Sequence, residues 1–257
     1  MLLVVSLSLL GAYAWHATQV PFPLLKLALF KVRTFRVSVV GGFITRLGIG
    51  GLPFLLPLMY QVGMGMPAWQ SGLLMMPAAL GAMGMKLVAG RLLKQFGYRH
   101  VLTINTVRIG ITIGLFSLVD IGTPVWVIVL PGLAQGLFKS LQFSSINTMA
   151  YADVDAADSS MASTIASSMQ QMSMSFGLAF GTLVVGWCLG DMAQSDRIAV
   201  MHALDHAFLT MAGLTVLSSL TFWSLQPGDG ASVSQGEDGP RLRQAAADKA
   251  EGGALAV

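Results

Sequence analysis

Six long runs of apolar residues, almost free of charged side chains, constrain this chain more than any other feature. A helix needs about 20 mostly apolar residues to cross roughly 30 Å of hydrocarbon, and each run is long enough. In lipid the backbone must form its hydrogen bonds within its own segment, so continuous runs predict helices. The chain is therefore expected to be an all-α transmembrane bundle, with spans at residues 37–60, 69–93, 101–119, 125–151, 161–189 and 203–225.

The shortage of charge excludes a soluble globule. Charged residues make up 11% of the chain and hydrophobic residues 54%, whereas soluble domains are about 25% charged. The lipid bilayer is thus the expected partner, and no nucleic acid is expected. The lone Cys188 rules out an intrachain disulfide. We expect no cofactor and no metal, because the His202/His206 pair is more typical of a solvated helix end.

The two ends of the chain differ from the six runs. Residues 1–15 are apolar but short, and they end in an Ala-x-Ala pattern, so they are either a partial transmembrane helix or a signal peptide. Residues 16–36 form a predicted basic cytoplasmic linker, and residues 37–226 form the six-helix bundle. Residues 227–257 are small, polar and rich in Gly and Ala, which predicts a disordered cytoplasmic tail.

The distribution of Lys and Arg predicts the orientation, because basic loops stay in the cytoplasm. The alternate loops contain only Arg197, whereas the loop after the first segment, the loop between the second and third full spans, and the tail are basic. We therefore expect a cytoplasmic C-terminus. The basic residues of these regions are Lys26, Lys31, Arg33, Arg36, Arg91, Lys94, Arg99, Arg241, Arg243 and Lys249.

Several polar residues fall inside the predicted spans, where a charge costs roughly 2.5–3.5 kcal/mol. They either line a hydrated substrate path or form hydrogen bonds between helices that only fix packing. These candidate path residues are Arg46, Arg108, Gln135, Lys139, Gln142, Asn147, Gln170 and Gln171. No Asp or Glu is expected deep in a span, with Asp205 placed at a helix end. The chain alone is thus not expected to supply a proton-coupling carboxylate.

A loop between the second and third spans carries a recognisable motif. The segment AGRLLKQFGYRHVL resembles the signature loop of the major facilitator superfamily, with Lys94 at the position of the family's Asp and Gln95 at that of the following Arg. Such degeneracy is typical of the copy of this loop in the C-terminal half of these transporters. The signature-loop residues here are Gly90, Arg91, Leu92, Gly97 and Arg99.

Residues 35–225 as a whole resemble the EmrB/QacA-type, fourteen-helix drug:proton antiporter branch, in particular its MdtD/HsrA-like sequences. The stretches FRVSVVGGFITRLGIGGLPFLLPLMYQVGMG, WQSGLLMMPAALGAMGMK and FSSINTMAY carry this resemblance. It implies that residues 2–15 are the eighth helix and the six full spans are helices nine to fourteen. The family's antiporter motif would then lie upstream.

The resemblance implies a secondary exporter of the bacterial inner membrane. Its C-terminal half would help to expel drugs or small amphipathic metabolites in exchange for protons, together with a missing N-terminal half. The alternative is a truncated membrane protein that does not transport, or a subunit that needs a partner half. We expect no enzyme activity, because the sequence lacks paired carboxylates, a His-Glu-x-x-His motif and a nucleophile constellation.

Cysteine labelling tests the predicted orientation. In a variant whose Cys188 is replaced by Ser, single cysteines at Lys31, at Lys94 and in the tail are expected to react with an impermeant reagent only from the cytoplasmic side. Cysteines at Gly65, Gly122 and Ser195 are expected to react only from outside. Reversed accessibility at two or more of these sites would contradict the orientation.

Overall fold

The computed structural model describes residues 27–190, 196–226 and 228–230, and this part of the chain contains helices and no strands. The predicted all-α fold is thereby confirmed, and five of the helical segments are long and apolar enough to cross a membrane. Short 3₁₀ segments, and a π-helical turn at Met59–Gly63, adjoin the α-helices. The α-helices are α1 Arg33–Gly50, α2 Leu52–Leu58, α3 Ala68–Leu115, α4 Val125–Ala150, α5 Ser159–Leu189 and α6 Arg197–Phe222.

The second and third predicted spans join into α3, which only Gly97 interrupts. Gly97 has φ 70° and ψ 160°, a conformation that a residue without Cβ adopts readily. The Ser140 hydroxyl of α4 donates a hydrogen bond to the Ala82 carbonyl at 2.9 Å. The Asn105 side chain donates one to the Phe138 carbonyl of α4 at 2.8 Å. In a straight helix, residues 82 and 105 would lie about 35 Å apart. Because both contact α4 within one turn, the chain folds back at Gly97 into α3a (68–96) and α3b (98–115).

Glycines allow the helices to pack closely. A Cβ added to Gly136 of α4 would overlap the Ala78 carbonyl of α3a, and a Cβ on Gly177 of α5 would overlap the Leu47 carbonyl of α1. Small residues let helix backbones approach in lipid, where no hydrophobic effect drives helices together. α3 packs against α4 and α6, and α1 packs against α4, α5 and α6.

Large apolar side chains fill the interior and also cover the outside. Phe116 and Phe208 are fully buried with ring centroids 5.9 Å apart, while Leu87 and Trp187 are more than four-fifths exposed. In water such an exterior would aggregate, whereas in a bilayer it is the stable surface.

Some boundaries differ from those predicted. α1 begins at Arg33, so the end of the predicted linker is helical. α6 begins at Arg197 and not near residue 203, because Asp196 caps it by accepting from the backbone N–H groups of Ile198 and Ala199. The predicted partial helix at residues 1–15 and nearly all of the predicted tail lie outside the described residues.

Polar contacts gather at one end of the bundle. Arg33, at the start of α1, donates to both carboxylate oxygens of Asp229, at 3.0 and 2.7 Å. The Thr34 hydroxyl donates to Asp153 in the connection between α4 and α5. Tyr98, next to the Gly97 break, donates to Thr148 near the end of α4. This end therefore joins the start of α1, the α3 break, the end of α4 and the residues after α6.

Candidate functional site

A polar stripe runs along one side of α4. Gln135, Lys139, Phe143 and Asn147 recur every four residues, a spacing that places side chains on one helix face. Three of the four are among the predicted path residues, and Phe143 is the member that the sequence analysis missed. The stripe provides two amides, a cation and an aromatic ring.

Arg46 of α1 reaches this stripe from the side. Its side chain is buried, its Nη2 atom donates to Asn147 Oδ1 at 2.9 Å, and its Cζ atom lies 4.9 Å from the centroid of the Phe143 ring. A Cβ on Gly42, one turn earlier, would lie 2.7 Å from Arg46 Nη1, so the glycine leaves room for the guanidinium. The Arg46 Nε atom is buried without a hydrogen-bond partner.

Lys139 lines a cavity of about 340 Å³ between α2, α3a and α4. Its Nζ atom lies 5.8 Å from the centroid of the Phe143 ring, so one ring contacts both cations. Cation–π contacts of this kind are worth about 0.5–2 kcal/mol, more where water is excluded. We call this space the lysine cavity, and its lining residues are Leu52, Pro53, Leu56, Met75, Ala78, Ala79, Ala82, Gln135, Gly136, Lys139, Ser140 and Phe143.

A second space, the glutamine groove, lies on the other side of α2. It has a volume of about 410 Å³ and shares Pro53 with the lysine cavity. Gln171 of α5 lines it and is exposed, whereas Gln170 is only half-buried and does not line it. The groove is lined by Gly50, Pro53, Phe54, Gln171, Met174, Ser175 and Leu178.

Gln142 faces a different way and joins α4 to α3b. It is fully buried, its Oε1 atom accepts from Asn105 at 2.9 Å, and its Nε2 atom donates to Thr106 at 2.7 Å. Both ends of the amide are therefore bonded within the protein. Gln142 is placed to fix helix packing, the second of the two roles that the sequence left open.

Gln135 combines packing with lining. The Thr112 hydroxyl of α3b lies 2.5 Å from Gln135 Oε1, which ties α4 to α3b. The same side chain lines the lysine cavity, and its Nε2 atom is buried without a partner. A buried polar atom without a partner is unfavourable unless something else binds it.

Arg108 is separated from the other two cations. It is exposed, and its Cζ atom lies 5.8 Å from the centroid of Phe138, one residue before Lys139 and therefore on a different face of α4. With His100 and Asn105 it lines a smaller pocket of about 230 Å³. The structure thus groups Arg46 with Lys139 and Asn147, and leaves Arg108 outside this group.

No carboxylate balances Arg46 or Lys139 within the described part of the chain. The expectation that Asp205 ends a helix is wrong, because the Asp196 cap starts α6 at Arg197 and leaves Asp205 two turns inside. Asp205 Oδ2 lies 3.9 Å from His202 Nδ1, and Asp205 Oδ1 is buried without a partner. None of the three spaces is lined by Asp205.

The described residues include no cluster of potential metal ligands.

The signature-loop residues surround the α3 break. Gly90 and Arg91 are exposed on the last turns of α3a, and Gly97 is the break itself. Leu92 packs against a buried cluster that includes Tyr98 and Phe222, and Arg99 is half-buried in the first turn of α3b. The motif therefore marks the reversal of α3 and lies away from the lysine cavity.

A family model described as Major Facilitator Superfamily matches residues 2–177 and, in a second match, residues 39–250. The chain belongs to the major facilitator superfamily. It is 34% identical to MdtD of Serratia proteamaculans, provisionally named a multidrug resistance protein, over 86% of this chain and 46% of the relative. MdtD of Enterobacter sp. strain 638 is 33% identical over 86% of this chain and 47% of the relative. The chain spans about half the length of these curated relatives.

The membership of this superfamily confirms the resemblance that the signature loop indicated. It also supports the assignment of the protein to the membrane. The path assignment of individual side chains stays a prediction, although the geometry now separates those on the lysine cavity and glutamine groove from those that only join helices.

Two substitutions separate packing amides from lining amides. Gln142→Leu is expected to lower the free energy of unfolding by about 1–2 kcal/mol, because Asn105 and Thr106 each lose a buried hydrogen bond. Gln171→Leu is the matched control, because Gln171 is exposed and makes no hydrogen bond within the described structure. The measurement is the thermal midpoint of the purified chain in detergent. Equal midpoints for the two variants would contradict the packing role of Gln142.

Proposed function

We propose that this chain is the C-terminal half of a secondary transporter that exports drugs or small amphipathic metabolites in exchange for protons. The observation that carries the proposal is the lysine cavity, in which a cation, an amide and a hydroxyl interrupt a lining that is otherwise apolar and includes an aromatic ring. Ligand sites have this composition, with a few polar groups that orient an apolar ligand.

The coverage of the relatives supports a half-transporter. The chain covers 46% of one MdtD protein and 47% of another. In major facilitator folds, substrate binds near the midplane between two halves that rock against each other. The lysine cavity and the glutamine groove would form one side of that site, and a second half would form the other.

Proton exchange would depend on carboxylates beyond this cavity. Asp205 is the ninth residue of the 26-residue α6, about 12 Å along a helix about 39 Å long. It does not line the lysine cavity. We therefore expect the coupling carboxylate to come from the other half. The alternative is a truncated protein that does not transport, or a subunit that works only with a partner half.

The proposed location is the bacterial inner membrane, with the C-terminus in the cytoplasm. The positive-inside pattern of the sequence supports this orientation. The structure adds that Arg33, the Gly97 break and Asp229 meet at one end of the bundle. The basic residues Lys31 and Arg36 flank Arg33 in sequence, and Asp153 and Asp229 lie at the same end.

Transport measurements in proteoliposomes test the half-transporter proposal. The 257-residue chain alone is expected to insert but not to drive dye efflux under an imposed pH gradient, because it supplies only one side of the site. Co-reconstitution with the N-terminal half of an MdtD protein is the complementary arm, in which efflux is expected. Robust gradient-driven efflux by the chain alone would refute the proposal.

In the efflux-competent assembly, Arg46→Leu and Lys139→Leu should each insert normally and slow efflux sharply. They remove charges that are unfavourable in lipid, so insertion should not suffer. Full activity of both variants would show that the two cations serve packing alone.

A further inference from the structure

We propose that the lysine cavity binds the anionic group of the exported molecule, so that the substrates of this protein are amphipathic acids and not cationic drugs. The inference rests on the proposed transport function and deepens it by assigning a charge class to the substrate. It depends on three properties of the cavity: its uncompensated positive charge, its free hydrogen-bond donors and its apolar remainder.

The cavity carries positive charge without a counter-charge. Lys139 lines it. Arg46 approaches the same Phe143 ring that Lys139 contacts, and its Cζ atom lies 4.9 Å from the ring centroid. No Asp or Glu precedes Asp120 in the sequence. No acidic residue lines the lysine cavity, the glutamine groove or the Arg108 pocket among the described residues. A cationic ligand would be repelled here, and an anion would be attracted.

The unpartnered polar atoms around this charge are donors. Lys139 carries three N–H groups and has no hydrogen-bond or ion-pair partner within the described chain. The Nε2 atom of Gln135, another lining residue, is buried without a partner, as is the Nε atom of Arg46, which lies outside the lining. Ser140, the remaining polar side chain of the lining, already donates to the Ala82 carbonyl. A carboxylate, sulfonate or phosphate accepts several such bonds at once, and charge-assisted bonds are the stronger ones.

The remainder of the lining suits an apolar body. Leu52, Pro53, Leu56, Met75 and Phe143 line the cavity together with Lys139. The volume of about 340 Å³ lies at the lower end of the range for ligand sites, roughly 300–1,000 Å³. The cavity thus matches one acidic group attached to an aromatic or aliphatic skeleton. An anionic lipid headgroup presents the same chemistry, so the experiment must separate the two sources.

A pair of dyes with one skeleton and opposite charge tests the inference. Fluorescein is a dianion in mildly alkaline buffer, and rhodamine 6G is a cation built on the same xanthene ring system. Binding of each dye is measured by fluorescence anisotropy to the full chain in phosphatidylcholine nanodiscs, which contain no anionic lipid. A second set of nanodiscs contains phosphatidylglycerol, whose surface charge repels the dianion from wild type and Lys139→Gln alike. A fall in fluorescein affinity that is larger for the wild-type chain than for Lys139→Gln identifies the lipid headgroup as a competitor for the same site.

Fluorescein is expected to bind at least about tenfold more tightly than rhodamine 6G, a difference of about 1.4 kcal/mol. Lys139→Gln should weaken fluorescein binding about tenfold, and Lys139→Arg should restore most of it because the charge is kept. The matched control is Lys86→Gln, which removes the same charge from an exposed position on α3a and should leave binding unchanged.

Equal binding of the two dyes, tighter binding of rhodamine 6G, or unchanged fluorescein binding in Lys139→Gln would overturn the inference. If neither dye binds, the inference is also overturned, because all the residues that line the lysine cavity belong to this chain. Each of these results leaves the transport proposal standing if efflux is seen in the co-reconstituted halves. Selective fluorescein binding without efflux of any substrate would instead refute transport and leave the anion site intact.

Discussion

Hydrocarbon offers a polar group no hydrogen bonds, and the described structure follows from this constraint. Backbone groups must pair within each segment, so the apolar runs become helices. Hydrophobic burial does not drive these helices together, so they associate through close backbone contacts such as those at Gly136 and Gly177. Every polar side chain placed at this depth then needs either a partner in the protein or access to water.

The polar residues of α4, and Arg46 of α1, divide along these lines. Gln142 bonds Asn105 and Thr106 on the side that faces α3b, so both ends of its amide are satisfied. Lys139 faces a cavity and has no bonded partner within the described residues. Arg46 is intermediate, with one bond to Asn147, a contact with Phe143 and a free Nε atom. An arrangement that served packing alone would be expected to satisfy Lys139 as fully as Gln142.

Much of this fold could be predicted from the sequence because hydropathy reports burial in lipid directly. The spans, the polar residues inside them and the signature loop were all visible as local patterns. The reversal at Gly97 was predicted as a loop of several residues, since no local rule shows that one glycine at φ 70° suffices. The early start of α6 could have been predicted from Asp196, a favourable capping residue, and its neglect led to the wrong placement of Asp205.

The grouping of the candidate site residues needed the structure. Arg46 and Lys139 are far apart in sequence, and the association of both cations with Phe143 is a tertiary contact. The four-residue spacing of Gln135, Lys139, Phe143 and Asn147 was nonetheless present in the sequence, and it could have identified Phe143. The division between Gln142, which joins helices, and Gln171, which lines a groove, depends on how α3b and α5 pack and could not be read from the amide side chains themselves.

The central claim is that one face of α4 lines a water-accessible path. It is tested most directly by the reactivity of single cysteines with a small, charged methanethiosulfonate reagent in intact membranes, in a variant with Cys188→Ser. Cysteines at Lys139, Phe143 and Asn147 should react, whereas cysteines at Phe138 and Gln142, which face α3b, should not. Equal reactivity of the two sets, or reaction at Phe138 and Gln142 alone, would contradict the account.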